Sequence, residues 1–501
     1  MDHQLHSMLG YLHDKTILIT GATGFLGMVL VEKILRVQPN VKRLYLLVRA
    51  TDVKCATDRM KNEILGKELF KILRDTWGAD FDSIVSQKVI ALPGDVSSDE
   101  NLGVKDMILL ENICNEIQII VNSAANTNFD ERYDISLSIN TFGVLHMLSF
   151  ANKCLKLEML LHVSTAYVCG EKVGLILEDS ASMDKRVKET LRVDFEVAEQ
   201  NLVNEKLNEL KGASEETITY TMKNFGIERA KLHGWPNTYV FTKAMGEVLL
   251  TRHSKENLPF VIVRPPIVSS TYSEPFPGWV QGYRTVDSVI AGFCKGKLKC
   301  LLLSPMTISD IIPVDMMVNS IIAAIVVNAN KSCGTIYHVG SSRRNPIKFS
   351  DIYKFVLKYF TKYPWINKDG KLIKVRNIPI FKTMATFSMY MKIRYSLPVK
   401  GLKLVNKASG QCFQDVYVKS NQKLKLAMRV VELYRPYLLF KGIFDDTNTE
   451  ELRKITKECY IEAEDFNFDP TCIDWEDYIM NTHIPGFLKH VLTPKKMMDL
   501  R

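Results

Sequence analysis

A tyrosine and a lysine stand four residues apart in the stretch NTYVFTKAMGE, residues 237–247. If this stretch is helical, Tyr239 and Lys243 lie on the same face of the helix. An ammonium group beside a phenol stabilises the phenolate, so Tyr239 could act as a general acid for a carbonyl that receives a hydride. The spacing alone is common by chance, so its weight depends on the elements around it.

Three glycines follow the first predicted strand in the stretch KTILITGATGFLG, residues 15–27. Gly21 would allow a sharp turn, Gly24 would let backbone N–H groups approach a pyrophosphate, and Gly27 would let the next helix pack closely on the sheet. The helix that begins near Phe25 would direct its positive end at that phosphate. These features predict a dinucleotide site with contacts from Gly21, Thr23, Gly24, Phe25, Leu26 and Gly27.

Further apolar runs predict more strands of the same sheet, at 43–48, 88–92, 117–121 and 159–163. They show little alternation and are followed by helical stretches, so we expect an α/β fold, a doubly wound parallel Rossmann sheet covered on both faces. Ligands bind beyond the carboxyl ends of such strands. The candidate cofactor contacts there are Asp95, Val96, Ala124 and Ser164.

The end of the second strand indicates which dinucleotide binds. NAD sites usually place an acidic side chain there, but this chain has Arg49. A guanidinium in that position would pair with a 2′-phosphate, which favours NADPH over NADH. Arg59 is expected to add to the same pocket. The alternative is that Arg49 is only a solvated arginine at a strand end.

Composition limits the other possibilities. The 501 residues suffice for two or three domains, and the net charge of +9 is a modest excess that would attract an anionic partner. The ten cysteines include no CxxC pair, so we expect no metal site and no disulfide framework. The N-terminal residues do not read as a signal or transit peptide, and no apolar run is long enough for a membrane span. No nucleic-acid partner is expected.

The stretch HVSTAYVCG, residues 162–170, strengthens the tyrosine–lysine hypothesis. Together with the glycine turn it resembles the extended short-chain dehydrogenase/reductase superfamily, in which a Ser or Thr after the fifth strand acts with the Tyr and the Lys. Counting back from Gly170 places Thr165 in that position. The gap from Thr165 to Tyr239 is far longer than in ordinary members, because an insertion of about residues 171–230 lies between them.

Over nearly its whole length the chain resembles plant-type alcohol-forming fatty acyl-CoA reductases, which carry a C-terminal male-sterility-like domain. The shared motifs are TGATGFLG, GDV, HVSTAYV, YVFTK, VIVRPPIV, EPFPGWVQG, IIPVDMMVN, IYHVGSS, YRPYLLFKGIFDDTNTEEL and FDPTCIDWEDYIMNTHIPGFLKHVL. The resemblance implies an NADPH-binding reductase domain at 11–375 and a mainly helical domain at 376–501. One departure is Pro266, where the family commonly has Ser, in a loop expected to meet the nicotinamide through its backbone.

This resemblance implies a reaction with two hydride transfers. A long-chain fatty acyl-CoA would take hydride from NADPH, the thiohemiacetal would expel coenzyme A, and the aldehyde would be reduced to a primary alcohol. The implied catalytic residues are Thr165 and Tyr239, which bind the developing oxyanion, and Lys243, which also holds the nicotinamide ribose. Two alternatives stay open: a sugar-nucleotide epimerase or sterol-type dehydrogenase with the same three residues, and a non-catalytic dinucleotide sensor.

A basic segment lies in the C-terminal part. Between Lys382 and Arg429 there are ten Lys or Arg residues and one acid, Asp415. The segment could bind an anionic membrane surface or the phosphates of coenzyme A, or it could be the solvated face of a helical domain. The family resemblance favours peripheral association with the cytosolic face of the endoplasmic reticulum, with a cytoplasmic location as the alternative.

Overall fold

The computed structural model describes residues 6–98, 101–179, 194–283, 285–331, 334–367 and 369–492. The predicted insertion therefore lies partly outside the described residues, at 180–193. The strands, numbered along the chain, are β1 Thr16–Thr20, β2 Arg43–Val48, β3 Val89–Pro93, β4 Ile119–Asn122, β5 Met159–Val163, β6 Val173–Ile176, β7 Phe260–Arg264, β8 Ile267–Ser269, β9 Leu301–Leu302, β10 Ile308–Ser309, β11 Ile311–Pro313, β12 Thr335–His338, β13 Ile347–Lys348, β14 Trp365–Ile366, β15 Leu372–Ile373, β16 Ile380–Phe381 and β17 Lys441–Phe444.

Two compact units share these elements. The first comprises the described parts of Met1–Gly282, Asp310–Asn345 and Ile443–Arg501, and the second comprises those of Tyr283–Ser309 and Pro346–Gly442. The domain boundary predicted between residues 375 and 376 stays a prediction.

The first unit is built on a parallel sheet of seven strands in the order β12-β7-β5-β4-β1-β2-β3. Strand β1 is buried along its whole length, as are β5 and β7, because helices cover both faces. The chain leaves β1 towards β2 and β3 on one side, and returns to β4 and β5 on the other. This change of direction places a ligand crevice at the carboxyl ends of β1 and β4. The predicted doubly wound α/β fold is confirmed.

The helices of the first unit pack on both faces of this sheet. Buried apolar residues of β1 to β5 and of helices Met107–Glu116 and Gly143–Ala151 form a continuous core on one face. The α-helices are Met8–Leu12, Phe25–Val37, Val53–Arg59, Lys71–Trp77, Phe81–Lys88, Met107–Glu116, Tyr133–Leu137, Gly143–Ala151, Phe195–Glu209, Glu215–Leu232, Thr238–His253, Val314–Asn328, Thr447–Cys459, Trp475–Asp477 and Ile484–Phe487. Turns of 3-10 helix are Glu68–Phe70, Gly78–Asp80, Ala166–Cys169, Ala463–Phe466 and Pro470–Cys472.

The second unit is mainly helical, as expected for part of the C-terminal region. Its α-helices are Thr285–Cys294, Phe349–Lys362, Met384–Met391, Leu397–Ala408 and Gln414–Leu438. A small apolar cluster includes Leu302 and Phe387. Segments of π-helix occur in the chain at Met60–Leu65, Ser138–Phe142, Lys392–Ser396, Tyr478–His483 and Leu488–Leu492.

Neither a metal centre nor a membrane span is found among the residues that the structure describes. No group of three or more His, Cys, Asp or Glu side chains there could hold a metal ion. The described helices include none that combines the length and the apolar character needed to cross a bilayer.

Candidate active site

The glycine turn joins β1 to helix Phe25–Val37 by close backbone contacts. Gly21 has a φ of +72°, a left-handed conformation that favours glycine. A Cβ on Gly27 would lie 2.5 Å from the carbonyl oxygen of Gly21, so only glycine lets the helix begin this close to the strand. Gly24 is the N-cap of the helix, and no side chain caps that end. The positive end of the helix therefore fits a phosphate group.

The other residues predicted in this turn are placed differently. The Phe25 ring is buried against Trp279, with ring centroids 5.5 Å apart, so a cofactor contact from Phe25 would come from its backbone. Thr23 and Leu26 are half-buried. The turn thus offers a backbone surface to a ligand, and its aromatic side chain packs in the core.

The next strand ends contribute Asp95, Val96 and Ala124. The Asp95 carboxylate accepts hydrogen bonds from the Ser97 amide at 2.9 Å and the Ser97 hydroxyl at 2.8 Å, which fixes it at the edge of the crevice. Val96 is buried. The Ala124 amide donates to Thr20 Oγ1 at 3.0 Å. All three follow β3 or β4, at the carboxyl edge where the predicted site lies.

The two arginines predicted to read the 2′-phosphate have different surroundings. Arg49 is exposed directly after β2 and makes no ion pair within the described parts of the chain. The Arg59 guanidinium instead donates to both Glu63 carboxylate oxygens at 2.8 Å and to the Arg49 carbonyl at 2.5 Å. Arg59 therefore braces the backbone at Arg49, and Arg49 is the side chain available to an anion.

Two hydroxyls follow β5. Thr165 is buried, and its hydroxyl has only long contacts, 3.4 Å to the Pro265 carbonyl and 3.4 Å to the Tyr167 amide. Ser164 Oγ is buried and has no hydrogen-bond partner among the described residues. A buried hydroxyl without a partner costs free energy, so Ser164 fits a site completed by a ligand. The Pro265 carbonyl also accepts from the Ala166 amide at 2.9 Å, which holds β5 beside the loop that contains half-buried Pro266.

Tyr239 and Lys243 lie on helix Thr238–His253, and at a spacing of four residues they share one face of it. The helix begins where the Asn237 side chain accepts from the Val240 amide. The half-buried Tyr239 ring stacks on Phe129, with centroids 5.7 Å apart. The Lys243 amine is fully buried and donates to the Val163 carbonyl at 2.7 Å. Burial lowers the pKa of Lys243 to about 8, and the nearby Glu247 carboxylate opposes that shift.

Helix Thr238–His253 packs closely on its neighbours. A Cβ on Gly246 would collide with the carbonyl oxygen of Asn140, so this glycine is required for the contact. Asn140 Nδ2 donates to Thr242 Oγ1 at 3.0 Å. One turn after Lys243, Glu247 forms a buried ion pair with Arg264 of β7. These contacts fix the position of the helix and so hold Lys243 against β5.

Sequence reasoning missed a row of buried polar side chains beneath Lys243. Thr20, Asn122 and His162 pair in register across β1, β4 and β5. His162 Nε2 lies 3.4 Å from the Lys243 amine. The sequence signal for this row was one polar residue near the end of each of three otherwise apolar strands. The three residues can be recognised as neighbours only when the order of the strands is known.

Helix Glu215–Leu232 of the insertion packs directly on helix Thr238–His253. A Cβ on Gly226 would lie 2.7 Å from Thr238 Oγ1, so helix Glu215–Leu232 approaches the start of Thr238–His253 closely. Tyr133 donates to Glu199 at 2.7 Å, and Arg229 pairs with the same carboxylate. Burial alone would raise the pKa of Glu199, but hydrogen bonds from His233, Arg229 and Tyr133 outweigh it and lower the pKa to about 2. The two insertion helices are thus tied to the reductase core.

Solved structures with a similar fold have low sequence identity to this chain. A terminal reductase domain from the myxalamid biosynthetic pathway aligns with a TM-score of 0.58 at 15% identity, covering 96% of this chain and 92% of that one. A reductase domain of a nonribosomal peptide synthetase from Mycobacterium tuberculosis aligns with a TM-score of 0.56 at 17% identity, covering 100% and 95%. These likenesses support the fold alone.

Sequence comparison gives much closer relatives. Two family models described as male sterility protein, the first an NAD-binding model, match residues 19–321 and 394–494. Fatty acyl-CoA reductase 1 of Arabidopsis thaliana is 52% identical over 96% of this chain and 98% of its own length. The alcohol-forming fatty acyl-CoA reductase of Simmondsia chinensis is 50% identical over 98% of this chain and 99% of its own length. The chain therefore belongs to the fatty acyl-CoA reductase family, whose members are also described as male sterility proteins.

Proposed function

We propose that this protein uses NADPH to reduce a long-chain fatty acyl-CoA to a primary alcohol, with release of coenzyme A. The observation that carries the proposal is the docking of Lys243 on the last residue of β5, beside Ser164 and Thr165, in a chain of this family. Family membership also favours this reaction over sugar-nucleotide epimerisation, sterol oxidation or cofactor sensing.

NADPH, when bound, supplies the hydride for both reductions. The backbone of the glycine turn and the N-terminus of helix Phe25–Val37 would hold its pyrophosphate, and Arg49 its 2′-phosphate. Thr165 and Tyr239 would donate hydrogen bonds to the substrate oxygen as negative charge develops there, first on the thioester carbonyl and then on the aldehyde. Tyr239 would give the final proton, and the Lys243 ammonium would stabilise the phenolate that remains. The thiolate of coenzyme A leaves when the thiohemiacetal collapses.

The start of the insertion supplies an apolar surface that fits an acyl chain. Val173 and Leu175 of β6 and the following Leu177 are spaced two apart, and all three are exposed. Such spacing places them on one face of an extended chain. Each CH₂ of an acyl chain buried there would contribute about 0.8 kcal/mol. Leu175→Asp should therefore raise the KM for a long acyl-CoA and spare a short one, whereas Leu155→Asp, at an exposed position before β5, should change neither.

The activity is tested with the purified full chain, NADPH and palmitoyl-CoA. We expect two NADPH oxidised for each alcohol formed, with free coenzyme A as the second product. Turnover of a sugar nucleotide or a sterol without acyl-CoA reduction would contradict the proposal. So would NADPH binding in the absence of any acyl-CoA turnover.

Peripheral binding to an anionic membrane, at the endoplasmic reticulum, forms the second part of the proposal. Helix Leu397–Ala408 exposes apolar Leu397 and Leu404 together with Lys400 and Lys407. Residues at this spacing share one face of a helix. Apolar and basic side chains on one exposed face fit a surface of acidic lipid headgroups.

The membrane proposal is tested by liposome sedimentation of the full chain. Charge reversal of Lys400, Lys403 and Lys407 to Glu should reduce binding to vesicles that contain phosphatidylserine. Activity on a short, soluble acyl-CoA should be unchanged. The matched control reverses three exposed lysines of the first unit, Lys105, Lys156 and Lys255. Equal sedimentation of the two triple variants would contradict a specific membrane face.

A further inference from the structure

His162 is a buried imidazole that the proposed reaction does not use. It is 1% exposed in strand β5. One residue, Val163, separates it from Ser164 and Thr165 of the candidate site. One ring nitrogen, Nδ1, lies 3.2 Å from Asn122 Nδ2, and the other, Nε2, lies 3.4 Å from the Lys243 amine. The side chain therefore connects the polar row on the sheet to the lysine of helix Thr238–His253.

The hydrogen bonds around Thr20 decide where the hydrogens of this row lie. Thr20 Oγ1 accepts from the Ser123 amide at 3.1 Å and from the Ala124 amide at 3.0 Å. Both of its acceptor positions are then used, so its own hydrogen donates to Asn122 Oδ1 at 2.9 Å. This orients the Asn122 amide with its nitrogen towards His162.

The orientation of Asn122 in turn selects the tautomer of His162. Asn122 Nδ2 donates to Nδ1, so Nδ1 carries no hydrogen. Burial, together with the Lys243 charge, holds the pKa of His162 well below its usual value, so the ring is neutral. Its single hydrogen therefore lies on Nε2 and points at the Lys243 amine.

We propose that His162, held by Asn122 and Thr20, is a positioning residue that directs an N–H at the Lys243 amine and so favours the neutral amine over the ammonium. In the neutral amine, one hydrogen donates to the Val163 carbonyl and the lone pair can accept from His162 Nε2, whereas the ammonium has no lone pair to meet that N–H. The inference rests on the proposed role of Lys243 in holding the cofactor.

This arrangement also has a consequence for the charge of Lys243. An N–H dipole aimed at the amine disfavours the ammonium, in the same direction as burial. The other titratable groups near the amine are Glu247 and Tyr239 on its own helix. Glu247 is paired with Arg264 of β7, and Cys169, from the turn after β5, lies near that pair. Affinity for the anionic cofactor should therefore fall as pH rises through about 8.

The first test compares two isosteric variants on the same strand. Thr20→Val removes the hydroxyl that orients Asn122, so the amide can turn its oxygen to Nδ1 and leave Nε2 as an acceptor for the ammonium. Thr16→Val, at the other end of β1, removes a buried hydroxyl that has no partner among the described residues. NADPH dissociation constants are measured by cofactor fluorescence between pH 6.5 and 10.

Thr20→Val should raise the pH at which NADPH affinity is lost by about half a unit or more. Thr16→Val should show the same pH profile as the wild type. Identical profiles for the two variants would overturn the proposal. This binding measurement needs no acyl-CoA turnover. A shifted profile in a chain that reduces no acyl-CoA would refute the proposed reaction and still support the role of His162.

A second test uses a charged partner for the imidazole. Asn122→Asp should pull the ring hydrogen to Nδ1 and shift the profile upwards by about one pH unit or more. Adding His162→Phe should remove most of that shift if the imidazole relays it. An equal shift with and without His162 would mean that the carboxylate acts through space, and would overturn the proposal. If Thr20→Val fails to fold, this cycle decides.

Discussion

Two regions of the molecule use polar side chains in opposite ways. The buried row Thr20, Asn122, His162 and Lys243 has exposed fractions between 0% and 3%. The basic helices, Leu397–Ala408 and Gln414–Leu438, instead carry exposed lysines among exposed apolar residues such as Leu404 and Leu426. One region works through hydrogen bonds of fixed direction, and the other through the sum of its charges.

The difference follows from the dielectric surroundings. In a buried site the orientation of one amide changes the charge state of its neighbour, because water cannot compensate. At an exposed surface each charge is screened within about 8 Å at physiological salt, so any one lysine contributes little. Single substitutions should therefore be severe in the buried region and mild in the basic helices.

The largest effect is expected for Tyr239→Phe. The ring keeps its packing on Phe129 and only the acid is lost, so turnover should fall about a hundredfold or more while NADPH still binds. Steady-state kinetics and cofactor fluorescence measure the two quantities. Tyr220→Phe, at an exposed position on the insertion, is the control and should be neutral. Unchanged turnover in Tyr239→Phe would refute the assignment of the acid.

A pair of Gly→Ala substitutions compares the buried turn after β1 with the basic helix Leu397–Ala408. Gly27→Ala places a Cβ against the Gly21 carbonyl and should weaken NADPH binding more than tenfold. Gly401 lies in helix Leu397–Ala408, and a Cβ there would meet nothing within 4 Å. Gly401→Ala should leave NADPH binding unchanged and add up to about 1 kcal/mol of helix stability. Urea unfolding and cofactor titration check both, and similar behaviour of the two variants would remove the contrast.

Arg49→Glu should change the preference between cofactors. Repulsion from the 2′-phosphate should weaken NADPH binding about tenfold relative to NADH, a moderate value because Arg49 is exposed. Lys54→Glu makes the same charge change at a nearby exposed position and should scarcely alter the ratio. A constant ratio of the two dissociation constants in Arg49→Glu would show that another group reads the phosphate.

The smallest effect is expected for Lys400→Glu alone. One lysine near an anionic surface contributes about 1 kcal/mol, so vesicle binding should weaken only several-fold. The vesicle affinity of this variant should rise gradually as the salt concentration is lowered. The triple variant should show roughly the sum of three such changes. A single substitution that abolishes vesicle binding would instead indicate a defined headgroup site, and the two regions would then not differ in kind.

The local placement of the candidate site residues could be predicted from the linear sequence. The glycine spacing, Tyr239, Lys243 and the hydroxyls after β5 are each defined within a few residues, because turn geometry and helical periodicity act over that range. Apolar runs likewise predicted five strands of the sheet, with ends within two residues of those observed. The further strands β7 and β12 were not predicted.

Contacts between distant segments could be decided only by the tertiary structure. Arg49 and Arg59 look alike in sequence, yet Glu63 engages one and leaves the other exposed. His162 lies in an ordinary apolar strand. It joins Thr20 and Asn122 in a row because β4 lies between β1 and β5 in the sheet, and it meets Lys243 because helix Thr238–His253 docks on β5. Strand order and helix docking are set by burial of the whole core, and no short stretch of residues contains that information.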